Sequence, residues 1–103
     1  MNNLIILNKN DNVAVTPFVI DPMTKIERQG IVSIDPIPFG HKICLKTINK
    51  GDPIIKYDQI IGFASKSIKP GEHVHSHNLE FKEFSRKYLL TEKKNIAIEK
   101  SNL

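Results

Sequence analysis

Short apolar clusters separated by turn-forming residues make up the first eighty residues of this chain. The clusters have the length of single strands and lie at residues 4–7, 12–16, 31–34, 41–45, 53–55 and 60–64. Asn, Asp, Gly and Pro lie between them, as is typical of short strands joined by turns. Pro36 and Pro38 exclude a regular helix interior, because proline lacks an amide donor and restricts the residue before it. The pattern predicts a small, mainly all-β fold.

Two segments twenty residues apart repeat one pattern. Residues 47–54 and 67–74 both have a hydroxyl residue, Ile, two further residues, Gly, an acid, any residue and a β-branched apolar residue. Gly51 and Gly71 suit a turn that needs positive φ, and the apolar residues around them would anchor two short strands. Two copies are too few for a solenoid. The repeat therefore favours a compact all-β unit built from two similar corners.

The pattern changes towards the C-terminal end. Phe81, Phe84 and Tyr88 recur at roughly helical spacing with charged residues between them, which predicts one short amphipathic helix over residues 81–90. We expect its apolar face to cover an open end of the β unit, and docking onto a partner subunit is the alternative. The expected organisation is a β domain over residues 1–80, followed by a helix and tail over residues 81–103.

The composition is that of one small globular domain. Its 103 residues are 40% hydrophobic and 25% charged, which allows a single core. No apolar run approaches the roughly 20 residues of a membrane-spanning helix. The formal charge of +4 includes only two arginines, Arg28 and Arg86, not interleaved with aromatics, so we expect no nucleic-acid partner. Cys44 is alone, which excludes an intramolecular disulfide; we expect a buried, non-catalytic thiol and a cytoplasmic location.

The candidate chemistry begins with three histidines at alternate positions. His73, His75 and His77 lie within residues 71–78. In an extended strand alternate side chains share a face, so we expect the three imidazoles to project to one side. Imidazole is the commonest metal ligand and has the pKa nearest neutrality. The pattern predicts a site for a metal, a proton or an anion, with His41 contributing, and the alternative is an exposed histidine-rich edge strand without a ligand.

Basic and polar residues at other turns could join the same site. Lys42 follows a Pro–Gly corner, where it could neutralise a carboxylate, sulfonate or hydroxy-acid anion. Lys56 and Tyr57 follow the first Gly–acid corner, whereas Asp11 and Asn12 precede a strand, where such residues commonly close a turn. The sequence contains no Ser–His–Asp arrangement, phosphate-binding loop, dinucleotide glycine pattern or paired-cysteine metal motif. The chain offers acid–base and binding groups but little from which to build a deep pocket. We therefore expect it to supply only half of an active site.

Four motifs in order resemble the N-terminal SAF module of the altronate/galactarate dehydratase family. They are DNVAV at residues 11–15, PFGHK at 38–42, INKGDPIIKYDQIIG at 48–62 and IKPGEHVHSHN at 68–78. The resemblance covers about residues 4–80 and implies a β-clip-like SAF fold. It also implies dehydratase or lyase chemistry on hydroxy acids, since family members remove water from sugar acids such as altronate or galactarate with a divalent metal, often iron.

The resemblance implies roles for individual residues. Catalytic roles fall on His41, Lys42, His75 and His77. Substrate-binding roles fall on Lys56, Tyr57 and Asn78, and Asn12, which precedes a strand, is a further substrate-binding candidate. Metal binding falls on His73 and His75. The expected cofactor is a divalent metal, Fe²⁺ before others, and the alternative is that another subunit holds most of its ligands.

The resemblance also implies a partner. Longer family members continue into a large catalytic region, so we expect a separately encoded large subunit and a sugar-acid or sulfo-acid substrate. This chain would be the small subunit of a sugar-acid dehydratase. The alternatives are the small subunit of a (2R)-sulfolactate sulfo-lyase and a non-catalytic carbohydrate-acid or metal-binding module. A homo-oligomer is a further option, and we expect no membrane partner.

Overall fold

Eight short strands form the part of the chain that this computed structural model describes, namely Leu4, Ile6 and residues 8–81. They are β1 (Val13–Val15), β2 (Lys25–Ile26), β3 (Ile31–Val32), β4 (Lys42–Cys44), β5 (Pro53–Lys56), β6 (Gln59–Ala64), β7 (His73–Val74) and β8 (Leu79–Glu80). These residues contain no helix, and thus none long and apolar enough to cross a membrane. The mainly all-β prediction is confirmed.

Two predicted elements fall largely on residues that the structure does not describe. The strand expected over residues 4–7 is described only at Leu4 and Ile6, and the helix expected over residues 81–90 only at Phe81. Both elements, and the domain boundary after residue 80, stay predictions.

The strands pair antiparallel in three small sheets. The central sheet has the order β1–β4–β7, with Val13 opposite Cys44 and Ile43 opposite His73. The second sheet has the order β5–β6–β8 and a bulge between Ile54 and Ile55, while β2 and β3 form a separate hairpin. The central sheet is the one that brings distant parts of the chain to the candidate site.

The described structure contains four copies of one corner, where the sequence predicted two. Each copy runs from a buried Ile through a residue with positive φ to a second buried β-branched residue. The copies are residues 20–26, 37–43, 48–54 and 68–74, and they turn at Met23 (φ 66°), Gly40 (81°), Gly51 (91°) and Gly71 (94°). In the three glycine copies the residue after Gly donates its amide to the carbonyl three residues earlier, at 2.9–3.0 Å. That bond together with positive φ at the third position is typical of a type II turn.

The corners associate in pairs, and each pair builds one half of the core. Ile20 and Ile37 exchange two backbone hydrogen bonds of 2.8–2.9 Å, and Ile48 and Ile68 do the same. Two buried clusters result, one around each pair. Because successive strand residues point to opposite faces, β1 contributes Val13 to one cluster and Ala14 to the other. The central sheet is therefore buried on both faces and holds the two halves together.

Gly71 lies where the two halves meet. A Cβ at this position would overlap the carbonyl oxygen of Val32, which belongs to the β2–β3 hairpin. The Gly71 carbonyl accepts a hydrogen bond of 2.8 Å from the amide of Ile34. Glycine is needed here both for its positive φ and for the close approach of the neighbouring backbone.

Candidate active site

Two of the four corners bring histidines together; we call residues 37–43 and 68–74 the histidine corners, and residues 20–26 and 48–54 the plain corners. His41 follows the turn at Gly40, and His73 follows the turn at Gly71 by two positions. These corners lead into β4 and β7, which are neighbours in the central sheet. As a result Nδ1 of His41 lies 2.9 Å from Nε2 of His73. At this distance one nitrogen donates a hydrogen and the other accepts it.

The prediction that a single strand carries His73, His75 and His77 on one face is wrong. β7 ends at Val74, and the chain then turns over residues 75–78. The turn is held by Asn78, whose Oδ1 accepts the amide of His75 and whose Nδ2 donates to the carbonyl oxygen of His73, both at 2.9 Å. A short polar side chain that bonds to its own local backbone favours a turn over a continued strand.

The imidazole rings nevertheless gather, because the turn folds back beside β7. The ring of His41 stacks on His75, with 4.3 Å between centroids, and on His73, with 5.0 Å. His77 adds a tilted ring 5.3 Å from His73. The predicted contribution of His41 is confirmed as proximity to His73 and His75. We call His41, His73 and His75 the imidazole cluster, since one ring nitrogen of each lies within 4.8 Å of the others.

Positive charge is disfavoured on two rings of the cluster, those of His73 and His75. Burial, and then the neighbouring His41, lower the pKa of His73 to about 4, against a weaker opposite effect of Asp35. Desolvation and His41 also lower the pKa of His75. Near neutral pH the His73 ring is therefore uncharged and keeps a lone pair for a proton or a metal ion.

An acidic residue that sequence reasoning missed supports this arrangement. Oδ2 of Asp35 accepts the backbone amide of His73 at 3.0 Å. Asp35 stands before Pro36 in a segment that the sequence marked only as non-helical, and residue types alone gave no signal of a contact 38 positions away. The carboxylate fixes the start of β7 and places a negative charge near the cluster.

A groove of about 390 Å³ lies beside the imidazole cluster. Its residues divide into a polar set, Lys42, Lys56, His75 and Ser76, and an apolar set, Ile61, Leu79 and Phe81. The pKa of Lys42 is lowered by burial and by the charge of Lys56. Because His75 belongs to both the cluster and the groove, a ligand in the groove would reach an imidazole and two lysines together.

Three of the predicted substrate-binding residues are placed differently. Tyr57 is not among the groove residues, and its ring lies under Nζ of Lys56 at 5.0 Å from the centroid. Asn12 uses its side chain on β5, accepting the amide of Ile55 at 2.7 Å and donating to the carbonyl of Pro53 at 3.1 Å. Asn78 is likewise engaged with backbone. Substrate binding by these three residues stays a prediction.

The imidazole cluster offers a donor set that fits a divalent first-row metal. Imidazole nitrogens suit iron, zinc, copper and nickel, and a ligand histidine must be neutral, as the low pKa makes His73. Metal binding would replace the hydrogen shared by Nδ1 of His41 and Nε2 of His73 with an ion that both nitrogens coordinate. Three nitrogens would leave coordination positions for other groups. One ring nitrogen of His41, whose contribution the sequence predicted, lies within 4.8 Å of those of the predicted pair His73 and His75.

Cys44 takes no part in the site. It is fully buried, its Sγ donates to the carbonyl of Lys46 at 2.9 Å, and burial raises its pKa to about 12. The predicted buried thiol is confirmed, and since the thiolate is the reactive form, this cysteine is inert in the folded state.

The described residues form a small all-β domain of paired corners with histidines at its edge, an architecture consistent with a SAF domain. The chain belongs to the family described as the altronate/galactarate dehydratase SAF domain, which matches residues 2–82. The resemblance drawn from the four sequence motifs is therefore confirmed.

The chain is also similar to parts of longer proteins. The chain is 42% identical over 81 residues to an altronate dehydratase of Bacillus subtilis (strain 168), covering 76% of this chain and 16% of that protein. It is 44% identical over 48 residues to a (2R)-sulfolactate sulfo-lyase subunit alpha of Chromohalobacter salexigens, covering 47% of this chain and 51% of the relative. An Escherichia coli (strain K12) altronate dehydratase is 39% identical over 70 residues, 66% of this chain and 14% of that protein. The chain thus spans a small part of the dehydratases and about half of the sulfo-lyase subunit.

Proposed function

We propose that this chain is the small subunit of a hydroxy-acid dehydratase, acting on altronate or a related sugar acid. Its histidines and lysines would form one side of an active site that a separately encoded large subunit completes. The observation that carries the proposal is the position of His75, which lies in the imidazole cluster and also lines the groove with Lys42 and Lys56. A hydroxy acid needs both a cationic place for its carboxylate and a group that acts on its hydroxyl.

The incomplete enclosure of the groove supports the need for another polypeptide. Among the groove residues, His75 and Ser76 are exposed and Phe81 is 82% exposed. A site for a small ligand normally encloses most of the ligand surface. In the altronate dehydratases the matching region makes up 14–16% of the protein, and the sulfo-lyase relatives are named as subunits. The catalytic base would therefore come from the partner.

Lys56 and Lys42 would have different roles, one in binding the substrate and one in proton transfer. Lys56 binds the substrate carboxylate as a cation. Lys42, whose pKa is lowered by burial and by Lys56, gives a proton to the departing hydroxyl, because a pKa nearer neutrality makes a better general acid. The partner removes the proton next to the carboxylate, so that water leaves and an enol forms, which becomes the 2-oxo acid. His77, which is not among the three histidines of the imidazole cluster, is the imidazole that could relay protons near this place.

We propose His41, His73 and His75 as the ligands of a divalent metal, Fe²⁺ before others, with further ligands from the large subunit. When bound, the metal would supply Lewis-acid assistance to the loss of the hydroxyl. The uncharged state of His73 and the 2.9 Å contact of its Nε2 with His41 support this assignment.

A second candidate is the small subunit of a (2R)-sulfolactate sulfo-lyase. It is favoured by 44% and 46% identity to two subunits of that name. The same groups would serve, with sulfite as the leaving group in place of water and with a sulfonate as the second anion near the lysines. A third candidate is a non-catalytic module that binds a sugar acid or a metal and stabilises another protein.

Co-expression of this chain with its genomic neighbour tests the proposal. The purified complex is assayed with altronate, galactarate and sulfolactate, measuring 2-oxo acid for dehydration and sulfite for sulfo-lyase activity. We expect turnover that needs both chains, and the product identifies which candidate holds. Full turnover by the large subunit alone would refute a catalytic role for this chain and leave the non-catalytic module.

A further inference from the structure

The β5–β6 hairpin ends in a tight turn with unfavourable backbone angles. Lys56 pairs with Gln59, and the two residues between them, Tyr57 and Asp58, have φ of 55° and 63°. A two-residue hairpin turn with both central residues at positive φ is type I′, which favours Asn and Gly. A tyrosine is disfavoured there because its Cβ crowds the following carbonyl. Contacts from outside the hairpin must therefore help to hold this turn.

Two adjacent residues before β1 provide those contacts. Oδ1 of Asp11 accepts the amide of Asp58 at 2.7 Å. The Asn12 side chain accepts the amide of Ile55, also at 2.7 Å, and the Asn12 amide donates to the Ile55 carbonyl at 3.0 Å. The chain separations are 47 and 43 positions, so these bonds fix the hairpin tip relative to the central sheet.

Asp11 is unusual because it is almost completely buried. Its side chain is 2% exposed, and its Oδ2 has no hydrogen-bond partner among the described residues. Burial of a carboxylate with one oxygen unsatisfied costs free energy, so a residue of this kind needs a reason to be kept. Holding the turn at Asp58 is the contact that the structure shows for it.

The hairpin tip carries one residue of the groove. Lys56 leads directly into the turn and lines the groove together with Lys42, and its Nζ lies above the ring of Tyr57. We propose that Asp11 and Asn12 are positioning residues for Lys56, which hold the hairpin tip so that the lysine faces the anion in the groove. This inference rests on the anion-binding role proposed for Lys56. The first two residues of the DNVAV motif would thus have a function that does not depend on touching the substrate.

The test measures binding of tartrate, a hydroxy dicarboxylate, by the full chain in amide NMR titrations. We expect Lys56→Gln to weaken tartrate binding about fivefold, the effect of losing one partly exposed charge contact. Asp11→Ala is expected to weaken binding by a similar factor. Asp11→Asn, which keeps an oxygen for the Asp58 amide, is expected to retain most of the affinity.

A double variant separates positioning from general destabilisation. Asp11→Ala combined with Lys56→Gln should bind tartrate no more weakly than Lys56→Gln alone, because the aspartate acts through the lysine. The matched control is Asp52→Ala, which removes an exposed acid that accepts the Asn49 amide at 3.3 Å in a plain corner. It should leave the affinity for tartrate unchanged.

The outcomes distinguish this inference from the proposed function. If wild-type chain shows no tartrate shifts, or Lys56→Gln binds normally, the anion role of Lys56 fails and the inference falls with it. If Lys56→Gln weakens binding but Asp11→Ala does not, or if the two losses add, only the inference is overturned. Should Asp11→Ala not fold, Asn12→Ala takes its place, since Asn12 is the second proposed positioning residue. Normal tartrate affinity in that variant would equally overturn the inference.

Discussion

The histidine corners and the plain corners share one backbone design but differ in chemistry. All four corners place a buried Ile before a positive-φ residue and a buried β-branched residue after it. The two positions after the turn are His41 and Lys42 in one histidine corner and Glu72 and His73 in the other. In the plain corners they are Thr and Lys at 24–25 and Asp and Pro at 52–53.

The difference teaches that the site depends on which corners meet. Each histidine corner belongs to a different half of the core, and the pairing of β4 with β7 joins them across the central sheet. The plain corners lead into β2 and β5, which lie in separate sheets. Buried Ile and glycine specify the corner itself, whereas the imidazole cluster arises only where two corners become neighbours.

The largest expected effect is the loss of stability when the glycine of a histidine corner is replaced, compared with the same change in a plain corner. Gly51→Ala should lower the free energy of unfolding by about 1–2 kcal/mol, the cost of placing an L side chain at positive φ. Gly71→Ala should lower it by at least about 3 kcal/mol, because its Cβ would also overlap the Val32 carbonyl. Urea denaturation of both variants measures the difference, and equal losses would contradict the packing assigned to Gly71.

The next comparison concerns metal binding. In titrations of the full chain with Mn²⁺, we expect His41→Ala and His75→Ala each to weaken binding at least about tenfold, since each removes one ligand of the cluster. His77→Ala should have a smaller effect, because His77 is not among the three residues whose nitrogens converge. Unchanged affinity in the first two variants would remove the metal from the imidazole cluster.

The smallest expected effect is a change in the pKa of the His73 ring. In metal-free protein, NMR of the His73 ring should show a pKa of about 4. His41→Gln should move this pKa upward, because the His41 charge is the second cause of the shift after burial. A histidine whose folded-state pKa is lowered resists protonation in the folded state, so its contribution to stability falls as the pH drops from about 6.5 towards 4. A pKa of His73 near 6.5 would contradict the burial and clustering of the ring.

The fold was predictable where turn chemistry is visible in residue types. The corners at Gly51 and Gly71 share glycine followed by an acid, and both were predicted. The corner at Gly40 was missed as a copy because His41 replaces the acid, and the first corner was missed because Met23 holds the positive φ of 66°. A methionine gives no sequence signal for that conformation, which tertiary contacts impose.

The sequence predicted which residues form the candidate site better than it predicted how they are arranged. The proximity of His41 to the histidines of residues 73–77 followed from the motifs, but the straight strand did not, because Asn78 folds the chain after Val74. The contacts of Asp35 with His73 and of Asp11 with Asp58 span 38 and 47 positions. Contacts of that length depend on the finished packing of the sheets and have no local pattern.

The most direct test of the account is the turnover number of the assembled two-chain complex carrying His41→Ala, with Asp52→Ala as its control. We expect His41→Ala to reduce kcat at least about a hundredfold, because it removes a proposed metal ligand, while the complex elutes intact from a sizing column. Asp52→Ala should keep full turnover. An intact His41→Ala complex with unchanged kcat would contradict the claim that the histidine corners supply part of the active site.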